Sequence, residues 1–258
     1  MIQIDRGLCV GCGLCADICE FHEISMTEEG PVFLNQSCCG CGHCLAVCPQ
    51  CAVSMPQCDM DSVQEYDPGT FDVEPEHLLN MIRFRRSTRK FQSRSVPRDA
   101  IVQLLQAGRY SPTACNNQDV RYVVVHREMP SVLDQLWDGF LVHARDIGDR
   151  ELEERCLQYR QTGADTLTYG CSHLIFILSG RQLNGGIAAC SIELMAHAMG
   201  LGALYLGYGE RAVAASPELQ RYLGLSEECR LCAILCVGYP AVTWHRTVPR
   251  NPLQVTWR

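Results

Sequence analysis

The chain has 258 residues, of which 47% are hydrophobic, with a formal net charge of -7 and 18 cysteines. That length suits one large domain, or an ordinary domain with a small one attached, and the apolar fraction is that of a chain with a packed core. The acidic balance argues against any general affinity for nucleic acid. No apolar run approaches the roughly 20 residues of a helical membrane span. The opening "MIQIDRGLC" lacks the basic flank and apolar stretch of an export signal, so the thiols are expected to ligate metal in a reducing cytoplasm rather than to form disulfides. Lys90 is the only lysine, so cationic chemistry rests on arginine, whose forked guanidinium suits phosphate and carboxylate ligands.

In chain order, "IQID" predicts a short strand, and Cys9, Cys12, Cys15 and Cys19 follow in the spacing CxxCxxCxxxC. "EISMTEEGPVFLN" predicts a hairpin turning at Glu29 and Gly30. The spacing then recurs as Cys38, Cys41, Cys44 and Cys48 with Pro49 behind it, and "AVSM" predicts a closing strand. A cubic iron-sulfur cluster needs thiolates at four corners, and a loop with ligands every third residue wraps three of them around one face. The last cysteine sits on the following helical turn and points away, so it ligates the other cluster. This gives one [4Fe-4S] cluster on Cys9, Cys12, Cys15 and Cys48, and a second on Cys38, Cys41, Cys44 and Cys19. Gly11, Gly13, Gly40 and Gly42 fit the tight turns. Zinc sites or unligated thiols are the competing readings, but zinc favours two CxxC pairs set further apart. Cys39 competes with Cys38 as a ligand; Cys38 is retained because it alone preserves both spacings. Cys51 and Cys58 fall outside the pattern. The segment resembles bacterial two-cluster ferredoxins over residues 1–57.

Residues 58–75 are acidic and turn-rich without an apolar period, which reads as a linker. From 76 to 258 the period changes. Helices are expected over "PEHLLNMIRFRRS", over "PRDAIVQLLQAGRYS" with Pro97 in its first turn, over "SVLDQLWDGFLVHARDI", over "RELEERCLQYRQT", and over 185–200 and 217–223. Strands are expected in "RYVVVHR", "HLIFILSG", "ALYLGY" and "RLCAILCVGY". Cys229, Cys232 and Cys236 share metal-like spacing, yet an alternating strand splays them to opposite faces, so they read as structural. Cys115 has no identifiable base beside it and reads as a packing residue. Trp137, Phe140 and Tyr159 are candidates either for a pocket lining or for core packing.

The stretch "RFRRSTRKF" concentrates Arg85, Arg86, Ser87, Thr88 and Arg89 at a helix end, a donor set suited to phosphate. "YSPTACNNQD" adds uncharged donors, among them Asn116 and Gln118. Together with "GGIAACSIELMAHAMGLGALYLGYG" and "VGYPAVTWHRTVPRNPL", these resemble the nitroreductase family of FMN enzymes over residues 76–258. The resemblance implies an α+β fold, an FMN-binding α/β sandwich that forms a homodimer, here joined to a small ferredoxin-like domain with two [4Fe-4S] clusters. Carried over by position, Arg85, Arg86, Ser87 and Arg89 hold the FMN phosphate and nearby oxygens, and Arg250 returns from the tail to the phosphate. Asn116 serves the ribityl or ring edge, Gln118 is a further cofactor-binding residue, and Gly207 and Gly209 let backbone approach the flavin. "QDV" at Gln118–Val120 replaces the family's "QPW", which leaves nicotinamide use open. The region 130–168 is expected to form a helical lid. The function implied is an oxidoreductase in which the clusters relay electrons from a low-potential donor such as ferredoxin to FMN. FMN then reduces a small organic acceptor: a nitroaromatic, a quinone or an activated alkene. The alternatives are an electron-transfer relay for a partner enzyme without turnover of its own, and a flavin-consuming or dehalogenating member of the fold.

Overall fold

The computed structural model describes residues 2–258. Contacts divide the chain into two compact units. One is the amino-terminal stretch through Asp72 together with Thr113–Asn117; the other is Val73–Pro112 with Gln118–Arg258.

In the first unit, β1 (Gln3–Ile4) pairs antiparallel with β4 (Val53–Ser54), so the two ends of the cysteine repeat meet. The helical turns α1 (Leu14–Asp17) and α2 (His43–Ala46) each begin at a left-handed glycine, Gly13 with φ 80 and Gly42 with φ 78. A side chain in that conformation would be strained, which is why each cysteine loop turns into its helix at glycine. Strands β2 (Ile24–Thr27) and β3 (Gly30–Phe33) form the hairpin. Thr27 already pairs with Gly30, so the turn is Glu28–Glu29, one residue earlier than expected. The stretch expected to be a linker carries a 3₁₀ turn at Met60–Ser62 and a helical turn α3 (Pro68–Phe71), capped by the Asp67 carboxylate accepting from the Gly69 N–H. The buried core of this unit is small: Ile2, Cys15, Ile24, Cys44, Val53 and Met55. So few side chains do not normally stabilise a domain without a metal or a cross-link.

The second unit is built on a four-stranded antiparallel sheet in the order β5 (Arg121–Val125), β6 (His173–Ser179), β8 (Arg230–Gly238), β7 (Gly202–Tyr205). Every residue of β6 is buried, because both faces of the sheet are covered. Leu174, Phe176 and Leu178 face one core, shared with α6 (Met129–Ile147), α9 (Gly209–Ala214) and α10 (Pro217–Leu223). Ile175 and Ile177 face the other, shared with α5 (Arg98–Arg109) and α8 (Gln182–Ala198). The period-2 alternation of a strand thus feeds two separate cores. Cys229, Cys232 and Cys236 are buried, and burial pushes the Cys232 thiol up, which keeps it protonated. Helices α4 (Pro75–Phe84) and α7 (Arg150–Thr162) complete the unit. Pro97 is the N-cap of α5 rather than a residue of its first turn. Helix α9, six residues long, was not among the expected elements, since it is too short to show a period.

Helix α6 meets α9 so closely that a Cβ on Gly139 would lie 2.2 Å from the Ala212 carbonyl oxygen. Backbone cannot yield as a flexible side chain does. Gly139→Ala is therefore expected to cost about 1–3 kcal/mol despite its better helix propensity, read as a lowered urea midpoint. A second expectation concerns acid. The buried His173 ring stacks on His126 with centroids 4.4 Å apart, and burial, followed by the neighbouring imidazole, pushes its pKa down to about 4. The unfolded chain takes up this proton near pH 6.5 and the folded chain only near 4. This contribution is complete above pH 6.5 and is lost as pH falls from 6.5 to 4, by on the order of 3 kcal/mol. Unfolding free energies measured at pH 7, 5.5 and 4 should show that slope, and His173→Gln should flatten it.

Candidate functional site

The eight motif cysteines line two separate cavities of similar size. Cys9, Cys12, Cys15 and Cys48 line one together with Ile4, Pro31 and Ala52. Cys19, Cys38, Cys41 and Cys44 line the other together with Cys39, Glu23 and Phe33. The last cysteine of each motif therefore lies with the first three of the other. Peptide N–H groups point at sulfur in both copies: Glu23 N to Cys19 Sγ at 3.3 Å, and Ala52 N to Cys48 Sγ at 3.3 Å. Gly40 N approaches Cys38 Sγ at 3.4 Å. Among the described residues no three ligand side chains converge tightly enough to hold a single metal ion. Cys39 lines the same cavity as Cys38, whereas Cys51 and Cys58 are exposed and line neither.

In the second unit the arginine-rich segment is fixed through its backbone. Ser87 bridges Ala203 of β7 in parallel, and the Thr88 N–H donates to the Ala203 carbonyl at 2.9 Å. Further on, the Gln92 N–H donates to the Tyr239 carbonyl and the Ala241 N–H to the Lys90 carbonyl. Thr88 is buried against Gly202, where a Cβ would fall 2.5 Å from its Oγ1. Arg85, at the end of α4, donates to Glu193 Oε1 of α8 at 2.7 Å. Arg85, Arg86, Thr88, Glu193, His197 and Trp244 line a cavity. Burial pushes the His197 pKa down, and the Arg85 charge adds to this. Arg86, Ser87 and Arg89 have no side-chain hydrogen bond or ion pair among the described residues, so their donors are free for an anionic ligand. This donor set fits a phosphate monoester.

The other expected flavin residues are dispersed. Asn116 belongs to the amino-terminal unit, where its amide donates to the Gly40 carbonyl at 2.7 Å. Gln118 is exposed at a left-handed φ of 48. Gly207 is exposed with nothing within 4 Å of a notional Cβ, so a ligand can reach its backbone. Gly209 is buried, and a Cβ there would fall 2.5 Å from Ile234 Cδ1; its need for glycine is packing, not ligand approach. Arg250 lies exposed on the irregular carboxy-terminal tail. In the lid region, Trp137 and Phe140 are core residues that also line a cavity with Arg155 and Tyr208, and Tyr159 stacks on Trp137. Sequence reasoning missed Glu193 and Glu23. The first lies 108 positions from its partner and leaves no local signal; the second shows only when the two cysteine motifs are aligned on each other.

The chain thus combines an antiparallel sheet packed with helices on both faces and a unit with one cavity lined by four thiols and another by five. Residues 82–239 match the nitroreductase family and residues 2–22 match the 4Fe-4S binding domain. The chain belongs to the nitroreductase family and is an oxidoreductase. It is similar to a protein of Methanothermobacter thermautotrophicus provisionally named NADH dehydrogenase/NAD(P)H nitroreductase, with 25% identity over 64% of this chain and 78% of that one. The amino-terminal part is similar to a ferredoxin-like protein in the nif region of Trichormus variabilis, with 33% identity over 20% of this chain and 45% of the other. Among solved structures, a nitroreductase with bound FMN from Bacteroides fragilis superposes with a TM-score of 0.58 at 19% identity, covering 69% of this chain and 98% of that one. Among the described residues no helix is long and apolar enough to cross a membrane.

The Arg85–Glu193 pair is unequally buried, with side-chain exposures of 26% and 7%. Removing the cation strands a buried carboxylate, whereas neutralising the carboxylate leaves a guanidinium that still reaches water. Arg85→Ala is expected to cost about 2–4 kcal/mol and Glu193→Gln about 1 kcal/mol, compared by urea denaturation of the two variants.

Proposed function

We propose that the chain is a ferredoxin-linked FMN oxidoreductase with two [4Fe-4S] clusters. The clusters are held by Cys9, Cys12, Cys15 and Cys48 and by Cys38, Cys41, Cys44 and Cys19. The observation that carries this reading is the exchange of the last cysteine of each motif, which leaves four motif thiols lining each of two cavities. When bound, the clusters would carry single electrons from a low-potential donor such as a ferredoxin, and the flavin would gather two and deliver them to a small acceptor such as a nitroaromatic, quinone or activated alkene.

The residues act by holding and by excluding. Arg86 and Arg89 neutralise the FMN phosphate and Ser87 donates to it, with Arg250 as a further cation. The Thr88 N–H bond to the Ala203 carbonyl fixes the backbone of this segment. Peptide N–H groups directed at the cysteine sulfurs stabilise the charge that a reduced cluster gains. The FMN bound to the Bacteroides fragilis relative and the name of the Methanothermobacter one support the flavin and the reductase class. The reading includes a homodimer.

Protein purified anaerobically is expected to carry about eight irons and one FMN per chain. Arg89→Ala should lower FMN retention and leave iron unchanged; equal loss of both would contradict separate sites. Rapid mixing with reduced ferredoxin should reduce the flavin. Fast flavin reduction without turnover of any acceptor in a broad panel would point instead to a relay for a partner enzyme.

A further inference from the structure

The two cysteine motifs are copies of one another, so each serves as the control for its twin. Cys19-Glu20-Phe21-His22-Glu23-Ile24-Ser25-Met26 aligns with Cys48-Pro49-Gln50-Cys51-Ala52-Val53-Ser54-Met55. Backbone conformation follows the alignment closely. His22 and Cys51 both adopt left-handed φ values, 51 and 50, and the next N–H in each copy donates to the preceding motif sulfur at 3.3 Å. Of the two positions buried in both copies of this frame, one changes from apolar to charged. Ala52 is a buried methyl, and Glu23, in the same place, is a carboxylate only 3% exposed.

Glu23 lines the cavity of Cys19, Cys38, Cys41 and Cys44, and is the one acidic side chain that does; the cavity of Cys9, Cys12, Cys15 and Cys48 is lined by no Asp, Glu, Lys, Arg or His. Its two oxygens accept from the Gln36 N–H at 2.8 Å and from the Ser37 N–H, the two residues that lead into Cys38. No cation pairs with it among the described residues. Asp17 and Glu20 are also nearby in sequence, but both are exposed and screened by water.

We propose that Glu23 is a positioning residue that makes the two clusters unequal, setting the one on Cys19, Cys38, Cys41 and Cys44 at the lower reduction potential. Reduction adds one electron to a cluster that its thiolates already make negative. A buried carboxylate beside it opposes that electron, and the low dielectric screens the repulsion poorly. The paired N–H bonds to Cys19 and Cys48 are equal and cancel in the comparison. The bond from Gly40 to Cys38, at 3.4 Å, acts in the opposite direction, but a long dipolar contact is weaker than a full buried charge. A donor therefore meets two cubes of different reducing strength, and a single electron resides mainly on the cluster of Cys9, Cys12, Cys15 and Cys48.

The inference rests on the two-cluster reading above, and the test separates the two. The full-length holoprotein is titrated anaerobically at fixed pH, with each reduced cluster followed by electron paramagnetic resonance and iron counted in the same samples. Glu23→Gln and Glu23→Ala are expected to keep eight irons and to raise one potential only. The reduction equilibrium should shift at least tenfold, about 59 mV for a one-electron couple. The signal that moves should be the one altered by Cys41→Ser and untouched by Cys12→Ser. Unmoved potentials at full iron content overturn the role of Glu23, as does a shift in the other cluster. Loss of half the iron in both Glu23 variants also overturns it, because the carboxylate is then only a latch on the loop before Cys38. A wild-type count far below eight irons overturns the two-cluster reading itself.

Discussion

An eleven-residue loop closing on a helical turn can direct three of its own thiols at one point but not the fourth, and this limit organises the amino-terminal unit. The fourth corner has to come from elsewhere, and the structure draws Cys48 to the cavity of the first motif and Cys19 to that of the second. Neither half can complete its cavity alone. The pairing of β1 with β4, which brings the two ends of the repeat together, follows from the same exchange. With six residues in its buried core, the unit draws little on hydrophobic burial.

The larger unit is built on the opposite principle. Its central strands are buried on both faces and feed two cores, so the sheet stands on apolar packing without help from a ligand. That rigidity lets the arginine segment be held by main-chain bonds to Ala203 and Tyr239 while most of its side chains stay unengaged. Arg85 is the exception, committed to Glu193 inside the unit. The five donors of the string "RRSTR" thus divide into Arg85, which holds two helices together, Thr88, which is buried, and three whose side chains make no hydrogen bond among the described residues.

Much of this was legible in the sequence where a period or a repeat existed to be read. The cysteine spacing states its own geometry, and long apolar alternations such as "HLIFILS" announce buried strands. What lay hidden had no period. Helix α9 has six residues; Glu193 and Arg85 are partners across 108 positions; and Gly209 looked like a ligand-facing glycine until its closeness to Ile234 showed a packing constraint. The turn of the hairpin slipped by one residue because Gly30, with φ 102, can serve either in a turn or as the first residue of a strand. Glycine tells where the chain is free to bend, not on which side of the bend it sits.

The loop from Cys115 to Gln118 shows a conflict between local preference and tertiary demand. Cys115, Asn116 and Gln118 all hold left-handed φ values of 52, 48 and 48, which asparagine tolerates and the other two do not. Such conformations cost on the order of 1–3 kcal/mol each. A hydrogen bond like that from Asn116 to the Gly40 carbonyl returns about 1 kcal/mol net. The bond alone does not offset the strain, so the conformation is imposed by its surroundings, and Thr113–Asn117 clusters with the amino-terminal unit although the residues on either side belong to the other. A chain that followed local preference here would relax the loop and surrender the hold of Asn116 on the turn between Cys39 and Cys41.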